Sequence, residues 1–115
     1  MATGDFTFFR QALLDIGKKL HDLSADTIKC GIVKSAANAG IDPVNTTADP
    51  RWGSGGSTNL SSSQVGTGGG YVGPFALTSV TWTLVANVPT LAGTPPVISN
   101  NASGFTNGRW AILYN

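Results

Sequence analysis

The side chains able to do acid–base, nucleophilic or metal chemistry are few in this sequence, and their spacing does not assemble them. One histidine, His21, stands beside Asp22, glutamate is absent, and all six aspartates fall in the first half of the chain. A His–Asp pair suggests a base with its orienting carboxylate, but neighbours on a helix point apart, so a solvated helix end is the expected setting for both. Serines are plentiful, yet no Gly-x-Ser-x-Gly occurs and His21 would have to serve any of them. A glycan hydrolase needs two carboxylates across a cleft, for which Asp22 and Asp26 are the pair to test. Cys30 and His21 are the only soft or nitrogen ligands, too few for zinc, and Asp42 with Asp49 does not make a calcium loop. The run Gly66-Thr67-Gly68-Gly69-Gly70 lacks the Lys-Ser or Lys-Thr and the helix that a phosphate loop requires, because Tyr71-Val72-Gly73-Pro74 begins a strand. The sequons at Asn45, Asn59 and Asn101 carry little weight in a chain so rich in Asn, Ser and Thr. The expectation is a protein that is not an enzyme, with no catalytic residue, cofactor or metal.

Composition narrows the class. A chain of 115 residues and 11.8 kDa is one domain, 1–115, with a net charge of +1 and only 11% charged residues. No basic run exceeds Lys18-Lys19, so nucleic acid is not an expected partner. So little charge leaves copies of the chain with little mutual repulsion, which suits assembly. The first residues lack the pattern of a signal peptide and no stretch is long enough to span a bilayer, so synthesis in a cytoplasm and no membrane association are expected. Cys30, set among alternating apolar residues, reads as a small core residue.

The elements that would position these groups are mainly β, in an α+β arrangement. Phe9, Leu13, Ile16, Leu20 and Leu23 are spaced as the apolar stripe of an amphipathic helix over residues 5–23, with Asp5 as N-cap and a weak point at Gly17. Residues 24–115 then form the β part. Residues 27–34 alternate as a strand, with Ile28, Cys30 and Ile32 on one face and Lys29, Gly31 and Val33 on the other. Pro43, Pro50, Gly53, Gly55 and Gly56 make residues 35–57 a long loop in which Arg51 and Trp52 are the large side chains. Trp52 is either an anchor for a partner or a residue packed under its own loop. Residues 60–65 are a poor strand, residues 71–78 an edge strand broken by Gly73-Pro74, and residues 80–86 a strand with Val80, Trp82, Leu84 and Ala86 on its core face. Val97-Ile98 adds a short strand, and residues 100–108 turn the chain into Arg109-Trp110-Ala111-Ile112-Leu113-Tyr114-Asn115. That last run is apolar on both faces and calls for cover from this domain or a neighbouring subunit. The expected fold is an N-terminal amphipathic helix followed by a small antiparallel β-sandwich or barrel-like sheet with long Gly/Pro-rich loops.

Three stretches together carry a resemblance: His21-Asp22-Leu23-Ser24-Ala25-Asp26-Thr27-Ile28-Lys29, Gly70-Tyr71-Val72-Gly73-Pro74, and the terminal Arg109 to Asn115 run. The chain resembles small structural proteins of tailed-bacteriophage virions, called decoration, cement or minor structural proteins. Similar proteins continue past the Tyr-Asn pair into another strand or two, so the sequence can be a portion of a longer product. The resemblance implies a capsid decoration protein, made in the host bacterial cytoplasm and mounted on the virion. Its partners would be the major capsid protein or other virion proteins, and it would be a homo-oligomer on the particle. The alternative is a minor tail or tail-fibre-associated protein, which copy number per virion would separate from the first. The residues expected at a partner contact are Arg51, Trp52, Phe9, Leu13, Trp110 and Tyr114.

Overall fold

A computed structural model describes residues 8–34, 48–68, 70–98 and 108–115. The described residues are mainly β with one α-helix, and the two larger sheets among them are antiparallel. At the centre lies β1 (Lys29–Lys34), whose alternation buries residues on both faces, Cys30 on one, Gly31 and Val33 on the other. Both of its edges are engaged. Along one runs β7 (Gly108–Tyr114), antiparallel, with Lys29 opposite Tyr114, Gly31 opposite Ile112 and a bulge after Val33. Along the other lies β4 (Phe75–Ala76), and beyond it the Leu77 amide donates to the Ile28 carbonyl and the Val65 amide to the Ile32 carbonyl.

One amide of β1 has no strand within reach. The Ile32 N–H donates instead to the Tyr71 hydroxyl at 3.0 Å, and Tyr71 is only 1% exposed. Buried main-chain donors must find an acceptor, and a phenol held in a fixed place supplies one. Tyr71→Phe is therefore expected to cost about 1–3 kcal/mol in chemical denaturation, the penalty for orphaning a buried donor. An unchanged midpoint would show that another acceptor takes its place.

The other sheets are small. β2 (Pro50–Arg51) pairs with β3 (Thr58–Asn59), and β5 (Thr78–Val85) forms a hairpin with β6 (Val88–Thr94). Among the described residues the three sheets do not close into a barrel. The β2–β3 pair is parallel, contrary to the wholly antiparallel expectation, and Pro50 lies in a strand rather than breaking one. A two-residue edge tolerates proline because few ladder donors are needed there. The weak pairing expected of residues 60–65 is confined to their end, where Gln64 bridges Val33 and the Val65 amide bonds to Ile32; Leu60–Ser63 is a 3-10 turn, capped by the Asn59 side chain accepting from the Ser61 amide. Its cap competes with extension. Val97-Ile98 is not a strand either, and the expected strand over residues 71–78 survives only as β4 and a bridge between Gly68 and Tyr71. Residues 35–47, most of the expected long loop, and residues 99–107 lie outside the described residues.

The helix is α1 (Arg10–Gly17), shorter than residues 5–23. It stops where Lys19 takes a left-handed conformation (φ 59°) and the Lys19 and Leu20 amides bond back to the Ile16 and Asp15 carbonyls. This closes the C-terminus in the position usually held by glycine. Asp5 lies outside the described residues; the observed N-cap is Phe9, with no side-chain cap. The stripe is also rotated from expectation, for Leu13 is 55% and Leu20 59% exposed, while the buried helix residue is Asp15 at 1%.

The hairpin departs furthest from its reading. β5 forms and turns into β6 through Ala86–Asn87, both left-handed (φ 48° and 66°), as a two-residue hairpin requires. Its supposed core face is open: Trp82 is 40% and Leu84 69% exposed, and Ala86 belongs to the turn. Alternation separates two faces of a strand, but a two-stranded ribbon has no second layer to bury either. The core lies elsewhere, in Val33, Leu60 and Ile112, with Phe9 and Trp52 packed against them.

Candidate functional site

Asp15 is the buried charged residue among those described, and a polar cluster is built around it. The helix projects it under the Trp52 segment, where Oδ1 accepts from Gln11 Nε2 at 2.7 Å and Oδ2 accepts from Arg51 Nη1 at 2.8 Å. His21 Nε2 stands 3.7 Å from the same Oδ2. Arg51 also donates through Nε to Asp49 at 3.0 Å, so one guanidinium ties the loop to the helix. Burial acts to raise the Asp15 pKa, but the Gln11 hydrogen bond and the Arg51 charge outweigh it and hold the carboxyl below its ordinary range. With both oxygens engaged and its proton affinity lowered, this carboxylate is a poor base at neutral pH. It serves as a latch.

His21 and Asp22 are not on a helix end, because the helix has already closed. His21 sits half-buried against Asp15 and its Nδ1 has no hydrogen-bond partner. Asp22 is exposed and accepts from the Ser24 amide and hydroxyl, which lowers its pKa and fixes the turn leading to β1. Asp26 closes the other end of that turn, accepting from the Asp22 amide and from the Asn115 side chain at 2.6 Å.

Trp52 covers the middle of the sheet. Its indole stacks on the Tyr114 ring (centroids 4.7 Å apart, planes 6° from parallel) and lies flat over Gly31. A Cβ at Gly31 would fall 2.6 Å from Cζ3 of that indole and closer to two of its neighbours, so the ring occupies the space a side chain would fill. Burial raises the Tyr114 pKa, with Tyr71 and Cys30 adding to it, and burial likewise keeps the Cys30 thiol protonated. Cys30, 6% exposed, is a core residue.

Five of the six expected contact residues come together. Phe9, Arg51, Trp52, Trp110 and Tyr114 line one largely apolar cleft of about 230 Å³ between α1, the Trp52 segment and β7, with Leu91 from the hairpin at its margin. Leu13 does not join them and points to solvent. Trp110 is 36% exposed and carries the Arg109 guanidinium 5.4 Å from its ring centre, a cation–π contact. Sequence reasoning missed Asp15 and Gln11, although their i, i+4 spacing was a readable signal for a side-chain pair on one helix face. It also missed Gly31 and Tyr71, whose partners lie 21 and 39 residues away and leave no local trace.

Among the described residues, no group of three or more His, Cys, Asp or Glu is placed to hold a metal ion, and no helix is long and apolar enough to cross a membrane. No protein-family model matches the chain, and no curated protein or solved structure matches it either.

Proposed function

We propose that this protein is a non-enzymatic structural component of a tailed-bacteriophage virion, binding the assembled lattice of major capsid protein and stabilising the head. The observation that supports this reading is the β5–β6 hairpin. Trp82, Leu84, Val85 and Val88 are 40%, 69%, 56% and 60% exposed on a ribbon that the described part of the chain does not cover. Apolar surface of this size on an extended ribbon marks a contact with another protein. On this reading the lattice covers the ribbon and completes the sandwich-like layering. The low net charge and the resemblance to decoration proteins point the same way. Binding to the assembled lattice but not to free subunits stabilises the shell by mass action, multiplied over many copies.

The test is direct. Purified protein added to empty expanded capsids is expected to raise their melting temperature, and Trp82→Ala with Leu84→Ala is expected to abolish the shift while leaving the free protein's own melting little changed. No shift at saturating protein would overturn the proposal.

A further inference from the structure

Among the described residues β7 is the outer strand of its sheet, and the register fixes which of its main-chain groups no described strand engages. In β1 and the residue before it, the even-numbered residues turn their main-chain groups toward β4 and Tyr71: Ile28 accepts from Leu77, and Ile32 accepts from Val65 and donates to Tyr71. The odd-numbered residues must therefore face β7, which makes Lys29–Tyr114, Gly31–Ile112 and Val33–Trp110 the hydrogen-bonded pairs of that ladder. It follows that Ala111 and Leu113, lying between those positions, direct their N–H and C=O groups outward along the open edge. That edge runs through the apolar cleft, since Trp110, Ala111, Ile112, Leu113 and Tyr114 all line it. Residues 110 to 114 contain no proline and no charged side chain, two of the usual edge defences, and the bulge at Arg109 lies just before them.

We propose that the open edge of β7 is the seat of a second copy of this chain, paired β7 to β7 in antiparallel fashion about a two-fold axis through Ile112. This deepens the assembly reading by naming one surface, and it stands or falls without any viral particle. The strand is complementary to itself in this register. Ala111 meets Leu113 of the partner copy and exchanges the outward hydrogen bonds, Ile112 meets its own counterpart, and Trp110 meets Tyr114, the kind of cross-strand aromatic pair that stabilises sheets. Charge is complementary as well. Arg109, the residue that the β7 bulge leaves without a β1 partner, lies at the end of the paired stretch, near Asn115 of the other copy, whose side chain is held by the Asp26 carboxylate at 2.6 Å, and the two-fold axis repeats this at both ends. No like charges oppose each other along the strand. A slip of two residues in either direction loses the Trp110–Tyr114 pairs or the Arg109–Asp26 approach. The result is a six-stranded sheet continuous across the two copies, with an isologous interface.

Sedimentation or light scattering on the isolated full chain tests this, with Ala111→Pro as the decisive variant. Proline there removes an N–H that points to the open edge and not to β1, so the fold is retained while pairing is blocked. Wild type is expected to be a dimer at micromolar concentration and Ala111→Pro a monomer with native circular dichroism. Ala111→Lys, which keeps the backbone intact but charges the edge, is expected to weaken dimerisation at least tenfold and decides the matter should the proline variant misfold. An Arg109→Cys, Asn115→Cys double variant is expected to oxidise to a cross-linked dimer, which neither single variant does. A monomeric wild type would overturn the proposal, as would dimers that persist in both edge variants. A monomer that either edge substitution destabilises would assign the edge to a segment of the same chain instead, and would also overturn it. Capsid binding by a strictly monomeric protein would leave the virion reading standing and this one refuted.

Discussion

Trp52→Ala is expected to be the most damaging single substitution, lowering stability by about 3 kcal/mol, toward the low end for large aromatic truncations because the ring is only half-buried. The indole lies on Gly31, stacks on Tyr114 and packs against the Val33, Leu60 and Ile112 cluster, so its loss opens the middle of the sheet. Gly31→Ala attacks the same contact from the other side. Its Cβ would enter the ring's volume and displace it, at about 1–3 kcal/mol, as overpacking does in a dense core. The two changes share one mechanism, which makes them non-additive. In the Trp52→Ala background, Gly31→Ala should have almost no further effect, and a double-mutant cycle by urea denaturation reads the difference. Additive losses would mean that Gly31 is constrained by something other than the indole. The experiment also bears on partner binding, since a Trp52 whose removal unfolds the sheet cannot be assigned to a partner contact from lost binding alone.

Asp15→Asn is expected to remove about 2 kcal/mol at neutral pH. Breaking a fully buried ion pair costs about 3–5 kcal/mol, but Arg51 keeps a third of its side chain in water (34% exposed), which softens the loss. The pH dependence gives the clearer signature. The folded Asp15 carboxyl titrates below its ordinary value of 3.8, so its contribution is complete above that pH and disappears as the pH falls through the lower, folded value. Wild type and Asp15→Asn should therefore differ most above pH 5 and converge toward pH 2 in thermal melts. A gap that stays constant down to pH 2 would mean that the carboxylate's charge is not what holds the helix to the Trp52 segment. Asp22 also titrates low, being held by Ser24, and contributes equally to both proteins over the same acid range. It leaves the difference between them unaffected.

How far the sequence reached is best judged at particular residues. The alternation of residues 27–34 and the apolar run to Tyr114 identified β1 and β7 as strands, but only β1 is the central strand covered on both faces; β7, read as covered on two sides, is the outer strand among the described residues, with Ala111 exposed and Ile112 its buried residue. The weak point read at Gly17 matched the end of α1. Burial was harder to read. The stripe through Leu13 looked like the helix's inner face, yet only part of it is covered: Phe9 packs against the core and Ile16 is partly buried, while Leu13 faces solvent and Asp15, paired with Arg51 and bonded by Gln11, is the residue the helix buries. The hairpin carried the cleanest alternation in the chain and is the least covered element.

What the sequence by itself determined is class and element: a mainly β chain, one helix, two principal strands, and a sparse set of reactive groups. These follow from local forces, the periodicity of apolar side chains and the conformational limits of glycine and proline, which act within a few residues. Only the tertiary structure decided that Asp15 is buried beneath Arg51, that Gly31 must be small for Trp52, that Tyr71 completes the hydrogen bonding of Ile32, and that β7 is the outer strand of its sheet among the described residues. Each of those depends on residues 21 to 39 positions apart, or on which strand ends a sheet, and spacing along the chain holds no record of what meets across it.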